Sequence, residues 1–132
     1  MGAKMTVLLV DDSKIVRILL RNVLTKVLGT KTVFLEAENG EIALEHMKTR
    51  FVDLMMLDWN MPIMNGEQVV DAVRSNPAYI KTRIIMATTE GGKNEVLRMI
   101  KKGVNGYLVK PFQEPKQSKR FECANCLLYD TL

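Results

Sequence analysis

Short apolar runs of strand length alternate along this chain with segments whose apolar residues recur at the helical period. Val7-Leu8-Leu9-Val10 is a continuous apolar run, the pattern of a strand covered on both faces. Ser13 then reads as a helix cap; Val16, Leu19, Leu20, Val23, Leu24 and Val27 follow at helical spacing, and Gly29 stops the helix. Thr32 to Ala37 predicts a second strand, polar enough to lie near a sheet edge. Asn39-Gly40 turns the chain into a short helix carrying Ile42, Ala43, Leu44 and Met47. Leu54 to Leu57 predicts the third strand, and Val69, Val70 and Val73 mark a third helix that Asn76-Pro77 ends. Ile84 to Ala87 predicts the fourth strand. The Gly91-Gly92 loop leads to a helix with Val96, Leu97, Met99 and Ile100, closed by Gly103, and Tyr107-Leu108-Val109 predicts the fifth strand.

Five strands alternating with helices specify an α/β domain with a mainly parallel sheet and right-handed crossovers. In such a sheet the C-terminal ends of the strands share one edge, where ligands bind. Polar groups end four strands at that edge: Asp11-Asp12 after the first, Asp58 after the third, Thr88-Thr89 after the fourth and Lys110-Pro111 after the fifth. One strand-ending aspartate is ordinary punctuation. The full set at one edge predicts a site.

Composition narrows the class without naming it. A length of 132 residues fits one domain with a single core, and 47% hydrophobic with 26% charged residues is ordinary for a globular protein. No apolar run approaches the roughly 18 residues that span a bilayer. The start, MGAKMTVLLVDD, has too short an apolar stretch for a secretory signal, so a cytoplasmic location without membrane insertion is expected. The net charge of +4 comes without a basic block interleaved with aromatics, which argues against nucleic-acid binding. Cys123 and Cys126 have CxxC spacing but no second pair, and the one histidine, His46, is distant. They are read as two tail thiols. His46 is expected on a solvated helix face and the nine methionines as core filler.

Three carboxylates gathered at one edge repel; a pair about 4 Å apart costs on the order of 4 kcal/mol at an effective dielectric of 20. A divalent cation removes the conflict, and oxygen ligands without cysteine or histidine favour Mg2+ over zinc. Magnesium keeps several waters and accepts a phosphate oxygen. A lysine adds a point charge for a second phosphoryl oxygen, a threonine hydroxyl donates to a third, and a carboxylate can act as nucleophile to form an acyl phosphate.

The stretches VDDS at 10 to 13, DWNMPIMNG at 58 to 66, MATTE at 86 to 90 and GYLVKPF at 106 to 112 resemble the receiver domains of two-component response regulators, most closely the single-domain chemotaxis regulators. The resemblance covers about residues 5 to 112 and implies a flavodoxin-like, doubly wound five-stranded parallel sheet of order 2-1-3-4-5, with residues 1 to 132 as one receiver domain. It implies that Asp58 is the phosphoacceptor. Asp12 and Asp58 would bind Mg2+ through their carboxylates, Asp11 partly through water, and Asn60 through its backbone carbonyl. Lys110 would pair with Asp58 or its phosphoryl group, ahead of a cis bond to Pro111. Thr88 would move to the phosphoryl group and Tyr107 would turn inward behind it, reshaping a partner-binding face of the fourth helix, fifth strand and fifth helix.

On this reading the chain catalyses only its own phosphorylation and dephosphorylation. The implied partners are a sensor histidine kinase or phosphotransfer domain, a downstream target such as a flagellar motor component, and a phosphatase. A monomer is expected, with a tail-mediated dimer as the alternative. Trp59, Met61 and Met64 are expected to shape access to the phosphoryl group. Two departures from the family stand out. Thr89 fills a position that is usually alanine or glycine. After Pro115, Phe121, Ala124 and Leu128 keep helical spacing, but the first apolar anchor of the closing helix falls on Gln117. Three alternatives remain: a receiver cut from a larger transcriptional regulator, an aspartyl-nucleophile phosphatase of the haloacid dehalogenase type, and a flavodoxin. The phosphatase would carry a D-x-D pair after the first strand, and the flavodoxin a Ser/Thr/Gly-rich phosphate loop there.

Overall fold

The computed structural model describes residues 4–88, 93–109 and 122–123, with Thr88, Lys93, Val109, Glu122 and Cys123 as backbone only. Strands β1 (Thr6–Val10), β2 (Val33–Ala37), β3 (Leu54–Asp58), β4 (Arg83–Thr88) and β5 (Gly106–Val109) alternate with helices α1 (Lys14–Leu28), α2 (Gly40–Thr49), α3 (Gly66–Arg74) and α4 (Lys93–Lys101). The strands pair in parallel in the order β2-β1-β3-β4-β5, as the resemblance implied, and β2 takes the edge its polar residues predicted.

The helices start where their caps dictate. Ser13 accepts a hydrogen bond from Val16 N, Asn39 from Ile42 N, and Asn65 forms a reciprocal capping box with Gln68. Strand period two sorts the core onto two faces. Leu8, Val10, Met55, Leu57, Ile84 and Met86 pack against apolar residues of α2, α3 and α4. Val7, Leu9, Leu54, Met56, Ile85 and Leu108 pack on the other face with Leu20 and Leu24 of α1. The continuous apolar runs therefore serve two cores, which is why they show no alternation. Five methionines (Met47, Met55, Met56, Met86 and Met99) are buried, as the filler reading expected.

Several expectations needed adjustment. Leu19 and Leu97 share the helical spacing but stand 40% and 48% exposed, because the stripe that meets the sheet is narrower than the apolar pattern. Pro77 does more than end α3: with Asn76 as cap it opens a short 3-10 helix, Pro77–Tyr79. His46 lies partly exposed on α2, as expected, and in addition its Nε2 lies 3.0 Å from the carbonyl oxygen of Glu36. A sixth strand, β6 (Glu122–Cys123), pairs antiparallel with Gly106 and Tyr107 of β5. An edge strand can be extended by any extended segment that reaches it, and a two-residue strand leaves no periodic trace in the sequence. The readings at Thr89, Gly91, Gly92, Lys110, Pro111, Pro115, Gln117, Phe121, Ala124, Cys126 and Leu128 lie outside the described residues.

At the N-terminal edge of the sheet, Arg74 ties four segments together. Its Nε donates to Gly103 O (2.9 Å), its Nη1 to Tyr79 O (3.2 Å), and its Nη2 to Thr82 O (2.6 Å) and Asn105 Oδ1 (3.1 Å). Asn105 Oδ1 also accepts from Ile84 N at 2.8 Å, so the starts of β4 and β5 are set by one side chain.

Candidate functional site

Register brings the acidic residues together at the opposite edge. Val10 pairs with Leu57, so the next positions, Asp11 and Asp58, are neighbours; Asp58 in turn pairs with Ala87, the residue before Thr88. Carboxylate oxygens of Asp11, Asp12 and Asp58 all lie within 4.8 Å of one another. Asp11 and Asp58 are buried and Asp12 is exposed, which leaves the cluster open to solvent on one side.

Local hydrogen bonds hold these carboxylates in place. Asp11 N donates to Ala37 O at 3.0 Å, extending the β1–β2 ladder by one residue. Asp11 Oδ1 accepts from Ser13 N at 2.8 Å and Asp58 Oδ1 from Trp59 N at 2.9 Å. The loop after β3 folds back so that Gly66 N donates to Trp59 O at 2.8 Å. Only glycine fits at 66, since a Cβ there would stand 2.4 Å from the carbonyl oxygen of Asp58. The same loop contains a tight turn, with Met64 N donating to Pro62 O at 2.7 Å and Ile63 between them at φ 70°. A β-branched residue in the left-handed region is strained backbone beside the acidic cluster.

A set of hard oxygen ligands, two of them buried and, among the described residues, none accompanied by sulfur or imidazole, fits a small divalent cation. Asn60 is exposed in the loop after Asp58. Thr88 ends β4 and pairs with Val109 of β5, one residue before Lys110. Tyr107, half-buried on β5, lines a cleft with Trp59, Met86, Val96 and Met99. Trp59, Met61 and Met64 pack on the core beside the cluster.

Charge next to Trp59 links α3 to α4. Glu67 pairs with Arg98 and with Lys102 (3.1 Å), and Lys102 also meets Asp71 at 2.9 Å. The Arg98 guanidinium lies over the Trp59 ring, 6.0 Å from its centroid. Hydrogen bonds from Arg98 and then Lys102 hold the Glu67 carboxyl below its usual range. Sequence reasoning missed Arg17, whose guanidinium donates to Asp11 O and to Glu36 Oε1. Its one signal was position, closing the first turn of a helix that follows two aspartates.

The response regulator receiver domain family matches residues 7–122, and the chain belongs to that family. Among its relatives, a chemotaxis protein CheY homolog of Campylobacter jejuni is 45% identical over 119 residues, covering 89% of this chain and 90% of that protein. The solved structure of the chemotaxis response regulator CheY4 of Vibrio cholerae is similar with a TM-score of 0.76 at 33% identity, covering 86% of this chain and 92% of that one. The Mn(2+)-bound form of response regulator Rcp1 has a TM-score of 0.72 at 26% identity, covering 83% of each chain. Membership of this family sets aside the phosphatase and flavodoxin alternatives.

Proposed function

We propose that this chain is a phospho-accepting switch of a two-component system serving chemotaxis, acting as a single receiver domain in the cytoplasm. The observation that carries the reading is the convergence of Asp11, Asp12 and Asp58 within 4.8 Å at the C-terminal edge of a receiver-domain sheet. The chemotaxis assignment is supported by relatives such as the Campylobacter jejuni protein, of which this chain covers 90%.

In the reaction, a carboxylate oxygen of Asp58 attacks the phosphorus of a phosphohistidine on the kinase or phosphotransfer partner. The P–O bond of an acyl phosphate forms, the P–N bond breaks, and the imidazole leaves with the electron pair. Burial and the hydrogen bond from Trp59 N orient the attacking carboxylate. Asp11, Asp12, Asp58 and the backbone carbonyl of Asn60 would hold Mg2+; that the response regulator Rcp1 was solved with Mn(2+) supports a divalent cation in this fold. When bound, the cation supplies positive charge against the repulsion between carboxylate and phosphoryl oxygens. Lys110 pairs with the phosphoryl group, Thr88 moves to it, and Tyr107 turns inward behind it. The surface around α4 and β5 then presents a new face to a downstream partner, on the family's pattern.

Incubation with acetyl phosphate and magnesium should add one phosphoryl group, located at Asp58. Asp58→Asn should abolish the addition without unfolding the chain. Stoichiometric labelling that persists in Asp58→Asn would overturn the assignment.

A further inference from the structure

We infer that Arg17 is a positioning residue for the cation site, clamping the peptide that joins Asp11 to Asp12; this rests on the cation-site reading above. Both carboxylates hang from that one peptide unit. The preceding peptide is tied through Asp11 N to Ala37 O at the end of β2, and the carbonyl oxygen of the Asp11–Asp12 peptide accepts from Arg17 Nη1 at 2.5 Å. The ladder of α1 begins only at Ser13 O, which accepts from Arg17 N at 3.1 Å, so the helix backbone does not reach the Asp11 carbonyl.

Arg17 is itself fixed. Its Nε donates to Glu36 Oε1 at 2.8 Å, and its side chain is only 12% exposed. Glu36 stands on β2 in register with Leu9, and its other oxygen accepts from Arg21 Nη2 at 3.1 Å. A planar guanidinium can bridge a carboxylate and a carbonyl at fixed geometry, which an ammonium cannot. The chain thus runs from a β2 carboxylate through Arg17 to the backbone between two cation ligands. Rotation of that peptide would swing Asp12, the exposed ligand, out of reach of a cation that demands oxygens at about 2.0–2.1 Å.

Two effects of Arg17 on a cation oppose each other. Its positive charge close to the cluster repels a divalent ion, so electrostatics alone predicts tighter binding once it is removed. The clamp predicts weaker binding. Outer-shell partners of metal ligands are typically worth roughly 10–100-fold in affinity, and neutralisation by Glu36 reduces the electrostatic effect, so the clamp should dominate.

The test is titration of the full chain with MgCl2, read by Trp59 fluorescence and by calorimetry, below the onset of thermal unfolding. Arg17→Gln should weaken Mg2+ binding roughly tenfold or more, and Arg17→Lys should recover only part of the loss. Glu36→Gln, which keeps the arginine but loosens it, should give an intermediate loss and serves if Arg17→Gln does not fold. Arg21→Gln removes charge from the same cluster but leaves both Arg17 bonds in place, so it should cost far less affinity than Arg17→Gln. Unchanged or tighter binding in Arg17→Gln overturns the proposal, as does an equal loss in Arg21→Gln. A parent chain with no saturable Mg2+ response overturns the cation site itself, and the clamp with it.

Discussion

Gly66→Ala sets helix propensity against sterics at a position that bears on the phosphoacceptor. Gly66 is the first residue of α3 and lacks a positive φ, so by propensity alone alanine should stabilise the helix by up to about 1 kcal/mol. The structure reverses the sign. The added Cβ would lie 2.4 Å from Asp58 O, 1 Å short of the 3.4 Å at which ordinary contact begins, and 3.1 Å from Trp59 Cα. Both obstacles are backbone, so no side-chain rotation relieves them. Forced overpacking costs roughly 1–3 kcal/mol, and separating the helix from the loop would also weaken the Gly66 N to Trp59 O hydrogen bond, worth about 1 kcal/mol. A net destabilisation of about 2 kcal/mol remains after the propensity gain. Urea unfolding followed by the single tryptophan, Trp59, measures it directly. Because the displaced carbonyl belongs to Asp58, Mg2+ affinity should fall in the same variant. A variant as stable as the parent, with unchanged Mg2+ binding, would refute the steric argument.

Arg74→Met keeps most of the stem but strands four acceptors, and should destabilise by about 3 kcal/mol in urea unfolding; Asn105→Ala should show part of the same loss. Ile63→Asn should stabilise by about 1 kcal/mol by relieving left-handed strain at a residue that is 69% exposed, visible as a raised thermal midpoint. The Glu67 carboxyl is held low in the folded state by Arg98 and Lys102, so its contribution to stability is present above the ordinary value of 4.5 and is lost as pH falls through the lower folded value. Glu67→Gln should therefore flatten the acid limb of a stability–pH curve, and added salt should reduce the difference between variant and parent.

The alternation of apolar runs and helical stripes was enough to place all five parallel strands and four helices, because burial on both faces of a parallel sheet leaves a strong local pattern. The acidic residues were legible for a related reason. Strand ends in a parallel sheet share an edge by topology, so the pattern of strands alone brings Asp11, Asp12 and Asp58 to one place. The motif stretches supplied the family. What the sequence did not reveal depends on register and reach. Arg17 and Arg74 look like ordinary helix-surface arginines until folding sets one beside the Asp11 carbonyl and the other beneath two strand starts. Gly66 reads as half of a turn signal, and only the return of the loop onto Asp58 shows that a methyl group cannot be accommodated. Leu19 and Leu97 carry the same local signal as their buried neighbours, but the stripe of each helix that meets the sheet is narrower than the apolar pattern and leaves them partly in solvent. Local pattern determines which elements form; long-range contacts, which no short window of residues contains, decide what each side chain meets.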